Sequence, residues 1–315
     1  MAELRLDHLH DTWIIVAPER QGRPHDVQLK VVPGKQVACP FCPGNEGETP
    51  SEVLALGRPA GEAPNQPPWT VRVFPNRYPA VAESAGRHEV VVLSPDHQAE
   101  LADLDAEQLS AVLLAVQKRI RSLEAEPGLV SALFFLNAGA GAGASLSHPH
   151  GQLLATPVVP SVLRTELEAL AGWRREHGGC LLCHLVAEAR ADDRIVAENE
   201  AGVVLVPWAS RFSYEMLLVP NHCAPRLTGV AVEPLSRVAA LLGEACRALQ
   251  TAVDHPPYNL ALHSAPLSVD DFHWHLEILP RLAPLAGFET GTGFFINPID
   301  PLTAATALRS AKDLA

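Results

Sequence analysis

The chain has 315 residues, with 24 Lys and Arg against 36 Asp and Glu and a net charge of −12. Its 47% hydrophobic and 19% charged residues describe a core-forming protein and exclude a largely disordered one. The acidic balance disfavours nucleic acid, so an anionic substrate has to meet a local positive site.

No uninterrupted apolar run is long enough to span a bilayer, and the opening MAELRLDHLHDTW lacks the basic-then-apolar form of an export signal. A cytoplasmic location follows as the expectation, with neither membrane nor nucleic acid as partner.

In chain order, the first cysteine pair is Cys39-Pro-Phe-Cys42. The apolar segments VRVF and EVVVL read as strands, and SPDH brings in His97. Leu109, Val112, Leu113, Val116, Ile120 and Leu123 fall at helical spacing, and the segment EPG ends that helix. The strand LFFLN and a glycine-rich loop, NAGAGAGA, then lead into SLSHPHGQLLA. Alternation in that last stretch puts His148, His150 and Gln152 on one strand face, where a buried strand would carry Val, Ile or Leu.

The same order recurs. Cys180-Leu-Leu-Cys183 precedes the strand segments VVLVP and EMLLVP, then His222, then a helix. Leu235, Val238, Leu241, Leu242, Cys246 and Leu249 make its apolar stripe, with Pro234 near its start, and FHWHLE follows. Fifty-one positions separate His97 from His148, and the same number separates His222 from His273. The expected fold is therefore α+β, two tandem related halves, residues 1–160 and 161–315, each an antiparallel sheet with a helix packed on it. The join falls around residues 160–175.

Cys-x-x-Cys pairs in a chain without an export signal point to metal or redox chemistry ahead of structural disulfides. Cys39, Cys42, His97 and His148 have the composition of a closed tetrahedral zinc site, and Cys180, Cys183, His222 and His273 of a second. One or two zinc ions per chain and no organic cofactor are expected. The alternative is that the cysteines are buried small hydrophobes and the histidines satisfied core residues. Cys223 and Cys246 read as ordinary surface or core residues.

If His148 is a ligand, His150 is held rigidly two residues on. The glycines at 139, 141 and 143 let main-chain N–H groups approach an anion, and Asn137, Ser145 and Gln152 add neutral donors. Such a site suits reaction at phosphorus, a neutral imidazole attacking while fixed donors stabilise the equatorial oxygens.

These motifs, VAPERQGRP, CPFC, FPN, SPDH, the run into HPHGQ, LHSAP and HWH, resemble the galactose-1-phosphate uridylyltransferase branch of the histidine-triad superfamily. The resemblance implies two histidine-triad-like halves and a double displacement through a nucleotidyl-histidine. His150 is the nucleophile on this reading, and Gln152 hydrogen-bonds the phosphoryl oxygens. Arg20, Arg23, Asn76, Asn137, Gly143 and Ser145 match contacts to the nucleotide-sugar. The partners implied are a nucleotide-sugar and a sugar 1-phosphate, in a homodimer. Hydrolases of the superfamily carry a third histidine at the place of Gln152, so glutamine favours transfer.

Two departures qualify the match. Some members hold a second metal through a glutamate and three histidines, matched here by Glu166, His263, His273 and His275, but CLLC competes for His273. The Gly-Tyr-Glu stretch that contacts the hexose is replaced by Thr292 and Gly293 within GFETGTGFFINPIDP, which resembles a branch containing ADP-glucose phosphorylase-like enzymes. The leading expectation is transfer of UMP between UDP-glucose and galactose 1-phosphate, with the second half structural and contributing to the sugar site. The alternatives are a nucleotide-sugar phosphorylase, a dinucleotide or phosphoramidate hydrolase, and an inactive zinc-stabilised nucleotide-binding module.

Overall fold

In the computed structural model, which describes residues 2–21 and 38–312, the chain opens with a hairpin of β1 (Glu3–Asp7) and β2 (Thr12–Val16). The first half continues with β3 (Leu54–Leu56), β4 (Val71–Pro75), β5 (Arg87–Val92), helix α1 (Ala106–Glu124), β6 (Ser131–Ala138) and β7 (His150–Thr156). Two helices follow, α2 (Ser161–His177) and α3 (Leu181–Ala191). The second half then has the same succession: β8 (Ile195–Asn199), β9 (Gly202–Leu205), β10 (Met216–Pro220), α4 (Val232–Val253), β11 (Tyr258–His263) and β12 (His275–Pro280). Helix α5 (Gly287–Thr292), β13 (Phe295–Asn297) and helix α6 (Pro301–Lys312) complete the described chain.

Ten strands form one antiparallel sheet in the order β3-β4-β5-β7-β6-β11-β12-β10-β9-β8. Read inward from either edge, each half has its fourth and fifth strands exchanged in the same way. The halves meet at the β6–β11 ladder, from Phe134↔Leu262 to Ala138↔Tyr258, so a continuous sheet runs through both. A small second sheet pairs β1 with β2, and β2 with β13 in parallel. It ties the opening hairpin to residues 295–297, just before α6.

Helix α1 forms where its periodicity places it, with Asp105 capping its start by accepting from Gln108 N–H at 2.8 Å. Its apolar stripe and that of α4 are buried together on one face of the sheet, over Val71, Val91, Leu153, Leu260 and Leu276. Burying a Leu or Val stabilises by ~1.5–3 kcal/mol, which makes this shared layer the main core.

The opposite face is treated differently in the two halves. Behind the second half, α2 and α3 lie over Val203, Leu205, Leu217 and Val219. Residues 160–175, read as a join, are thus mostly helix α2, and that helix is a cover. Behind the first half a smaller apolar group, Phe41, Trp69, Phe74, Val90 and Val92, leaves cavities open. No helix among the described residues is long and apolar enough to cross a membrane.

Candidate active site

Pro149, just before β7, is anchored by Leu93 N–H donating to its carbonyl at 3.0 Å. From there His150 pairs with Val92 and Gln152 with Val90. The alternation expected of HPHGQ is therefore realised: His150 and Gln152 share the open face, while Leu153 points into the core. Gly151 faces the core side too, and a Cβ there would stand 2.5 Å from the Phe134 ring.

His150 is 9% exposed. Its Nδ1–H donates to the His148 carbonyl at 2.9 Å, which fixes the tautomer and leaves Nε2 with a free lone pair. Burial depresses its pKa, so the ring is neutral near pH 7. The Phe41 ring packs against it, edge to face, with centroids 5.2 Å apart. A neutral, oriented imidazole whose Nε2 has no hydrogen-bond partner among the described residues has the chemistry a nucleophile needs.

Two cavities meet at this residue. One, of about 740 Å³, is lined by Phe41, Phe74, Asn76, Arg77, Tyr78 and Gln152 besides His150. The other, of about 750 Å³, is lined by Asn137, Gly139, Gly141, Pro257 and Tyr258 besides His150. Ser145 borders both. The glycine loop needs its glycines: Gly139 and Gly143 have φ of 77° and 93°, the left-handed region that side chains disfavour. Asn137 is held by Asn259 Nδ2, which donates to its Oδ1 at 2.8 Å, and Arg281 in turn donates to Asn259 Oδ1 at 2.5 Å.

Asn76, Asn137, Ser145 and Gln152 thus line the cavities, and Gly143 lies beside Asn137, whose Nδ2 would be 3.7 Å from a Cβ at 143. Arg20 ends a short 3-10 turn, Pro18–Arg20, and is exposed. It is not among the residues lining either cavity. Arg23 lies outside the described residues. Among the described residues, the Lys or Arg lining these cavities is Arg77, in the loop after β4. Sequence reasoning also passed over His88, whose Nε2 is 2.8 Å from Gln152 Oε1. Its signal was faint, one polar residue in phase with Val90 and Val92, at the polar start of a strand that reads Arg-His-Glu before its three valines.

The first cysteine pair comes together with His97 and His148, all four ligand atoms lying within 4.8 Å of one another. Cys42 Sγ is 3.3 Å from His97 Nδ1 and 3.7 Å from His148 Nδ1. Around a tetrahedral zinc with bonds of 2.0–2.3 Å, ligand atoms stand roughly 3.3–3.8 Å apart, so this set fits the ion. His148 Nε2–H donates to Ser94 O at 2.8 Å, the kind of outer bond that orients a ligating imidazole.

The second set requires a correction. It consists of Cys180, Cys183, Cys223 and His273, and His222 is not part of it. His222 is exposed in the loop beyond β10. The reason is one residue of loop length. His273 Nε2–H donates to Pro220 O at 2.8 Å, as His148 does to Ser94 O. The third residue past Ser94 is His97, and the third past Pro220 is Cys223. The matched interval of fifty-one was a coincidence of numbering. His273 Nδ1 lies 3.4 Å from Cys180 Sγ and 3.9 Å from Cys183 Sγ. Crowding shows in the thiols: burial and the neighbouring Cys180 push Cys183 up to about 11 and Cys223 to about 12. Burial opposes ionisation of Cys180 as well, but hydrogen bonds and charge from His273 bring it down to about 6.

With His273 turned to the thiols, Glu166, His263 and His275 form a separate buried group. His263 Nδ1–H donates to Glu166 at 2.6 Å. Glu277, which stands where the first half has Gln152, accepts from Arg211 at 2.6 Å and lies 2.9 Å from His10 Nε2. Burial opposes charge on Glu277, yet Arg211 and His10 hold its carboxyl well below the ordinary range. His10 hangs from the β1–β2 turn, its Nδ1–H donating to Asp7 at 2.7 Å. His275 repeats the main-chain bond of His150, donating from Nδ1 to His273 O at 3.0 Å, but it is fully buried. Its Nε2 faces Glu166 Oε2 at 3.8 Å, neither with a hydrogen-bond partner.

A neutral, tautomer-fixed imidazole beside neutral side-chain donors, on a helix-packed antiparallel sheet, accords with the class the comparisons show, a nucleotidyltransferase-family enzyme of the hexose-1-phosphate uridylyltransferase-like type. Residues 64–160 match the sequence model described as galactose-1-phosphate uridyl transferase, N-terminal domain. ADP-glucose phosphorylase of Arabidopsis thaliana is 31% identical over 98% of this chain and 93% of its own length. Galactose-1-phosphate uridylyltransferase of Thermotoga maritima is 31% identical over 99% of both. The crystal structure of an ADP-glucose phosphorylase from Arabidopsis thaliana with bound ADP-glucose superposes with a TM-score of 0.87, at 31% identity and 98% of each chain. A uridylyltransferase structure gives 0.78, at 30% identity over 100% of this chain and 99% of that one. The chain belongs to the galactose-1-phosphate uridylyltransferase family of the histidine-triad superfamily.

Proposed function

We propose that this protein transfers a nucleoside monophosphate from a nucleotide-sugar, through His150, to a phosphate oxygen of an acceptor. The observation that carries the reading is the bare Nε2 of a neutral, tautomer-fixed His150 at the junction of two cavities. Nε2 attacks the α-phosphorus, the N–P bond forms, and the P–O bond to the sugar phosphate breaks, so that the leaving group departs as a phosphate dianion needing no proton. The acceptor phosphate oxygen then attacks the same phosphorus and returns Nε2 to its neutral state. The His148 carbonyl accepts the Nδ1–H throughout and eases the positive charge on the nucleotidyl-imidazole. Gln152 and Ser145 supply neutral donors to the phosphoryl oxygens.

The cavity with Phe41 and Phe74 suits a stacked base, and the glycine-loop cavity suits the sugar phosphate. Zinc at both cysteine–histidine sets would clamp structure: His148, two residues from the nucleophile, is held by the first. The recurrence of strand order, crossover helix and His-x-His main-chain bond supports an internal duplication, with residues 1–160 and 161–315 as its copies. We read the chain as a cytoplasmic homodimer.

Inorganic phosphate as acceptor and adenylyl as the group transferred are favoured over galactose 1-phosphate and uridylyl by two observations. The higher TM-score belongs to the ADP-glucose phosphorylase, and Thr292 and Gly293 stand at the place of the hexose-contacting Tyr-Glu pair. The test is intact-mass spectrometry of the protein incubated with ADP-glucose or UDP-glucose without acceptor. An AMP adduct absent in His150→Ala and discharged by phosphate is expected. A UMP adduct discharged by galactose 1-phosphate would move the protein to the uridylyltransferases, and no adduct from either donor would refute the nucleotidyl-histidine.

A further inference from the structure

His88 is a strand neighbour of Gln152 and meets the end of its amide. It lies on β5, two residues from Val90, the register partner of Gln152, so the two side chains are diagonal neighbours on the open face. Its Nδ1 accepts from Ala80 N–H at 3.0 Å. A neutral imidazole that accepts at Nδ1 carries its proton on Nε2. That Nε2–H donates to Gln152 Oε1 at 2.8 Å. With its oxygen so engaged, Gln152 turns its amide N–H groups away from His88, and Gln152 shares its cavity with His150 and Ser145. The reverse orientation would set an amide oxygen against the phosphoryl oxygens and oppose the charge that grows there.

We propose that His88 is a positioning residue for nucleotidyl transfer: through the chain Ala80 N–H, His88, Gln152 it locks the glutamine amide with its donors toward the phosphoryl group. The proposal rests on the reading of His150 as nucleophile and deepens it. Asn76 lines the same cavity, its Oδ1 accepting from Tyr78 N–H at 2.8 Å. Pre-set donors matter most as charge develops, so losing the lock should fall on kcat more than on KM.

Two substitutions separate the contacts of the ring. His88→Asn keeps an acceptor near the Nδ1 position for Ala80 N–H but is too short to reach Gln152. His88→Gln places an amide nitrogen near the Nε2 position and keeps the donor. The rate of adduct formation is measured by quenched-flow intact mass for wild type, both variants, Gln152→Ala and the His88→Asn/Gln152→Ala double variant. His88→Asn should form the adduct about tenfold more slowly with KM for the donor nearly unchanged, and His88→Gln should stay within about threefold of wild type. The double variant should be no slower than Gln152→Ala alone. Equal rates in His88→Asn and wild type would overturn the proposal, as would equal losses in the Asn and Gln variants or losses that multiply in the double variant. Failure of the wild type itself to form an adduct overturns the parent reading, and this one with it.

Discussion

Gly151 sits inside HPHGQ, yet its hydrogen faces the core and not the open face that carries His150 and Gln152. Replacing it by alanine should be a core perturbation that reaches the site. The new Cβ would stand 2.5 and 2.6 Å from Cε2 and Cζ of Phe134 and 3.1 Å from Phe135 O. Carbon atoms rest at about 3.5–4.0 Å, so ring or strand has to shift by about 1 Å. Phe134 is 3% exposed in the main core and has nowhere to swing. Overpacking of this kind costs about 1–3 kcal/mol, against the ~0.5–1 kcal/mol by which alanine should otherwise stabilise a strand over glycine. At about 2–4 °C per kcal/mol for a chain of this size, Tm should fall by several degrees. A shift of ~1 Å in the strand carrying His150 and Gln152 should slow adduct formation by up to roughly a hundredfold. Calorimetry and the adduct assay read both. Adding Phe134→Leu, which removes the two clashing ring carbons, should recover part of the rate. Unchanged Tm and unchanged rate in Gly151→Ala would show that Phe134 is not what the glycine accommodates.

Other outcomes follow from the same geometry. Zinc analysis should give two ions per chain, falling toward one in Cys223→Ser and unchanged in His222→Ala; the reverse pattern would refute the second ligand set. Chelation should lower Tm with no change in the mass of a preformed adduct, because His150 belongs to neither cysteine–histidine set. For His10, burial lowers the pKa, but Asp7 and Glu277 outweigh it and the folded value is raised well above the ordinary 6.5. Its contribution is therefore complete below about pH 6.5 and is lost as pH rises through the raised value. The Tm gap between wild type and His10→Gln should be widest near pH 6 and shrink in alkali. A gap that stays constant or widens toward high pH would count against a protonated His10.

Local pattern determined much of this protein. The two amphipathic helices, the strands on either side of them and the placement of His150 and Gln152 on one strand face all follow from periodicity, because a side chain's direction is set by its own backbone. The first metal-ligand set was legible too, since both of its histidines sit in segments whose motifs are strong. Tertiary structure decided the rest. His222 and Cys223 are neighbours in the chain, and only the register of β10 against β12, which brings Pro220 O to His273, chooses between them. His10, Arg211 and Glu277 come from three distant segments, and no spacing rule joins them. His88 gains its meaning from the partner strand alone. The asymmetry between the halves is also tertiary: α2 and α3 close over the second half, burying His275 completely, while among the described residues no helix covers the corresponding face around His150, where cavities open. The sequence of each half carries a His-x-His strand; which one can meet a substrate depends on what the rest of the chain lays across it.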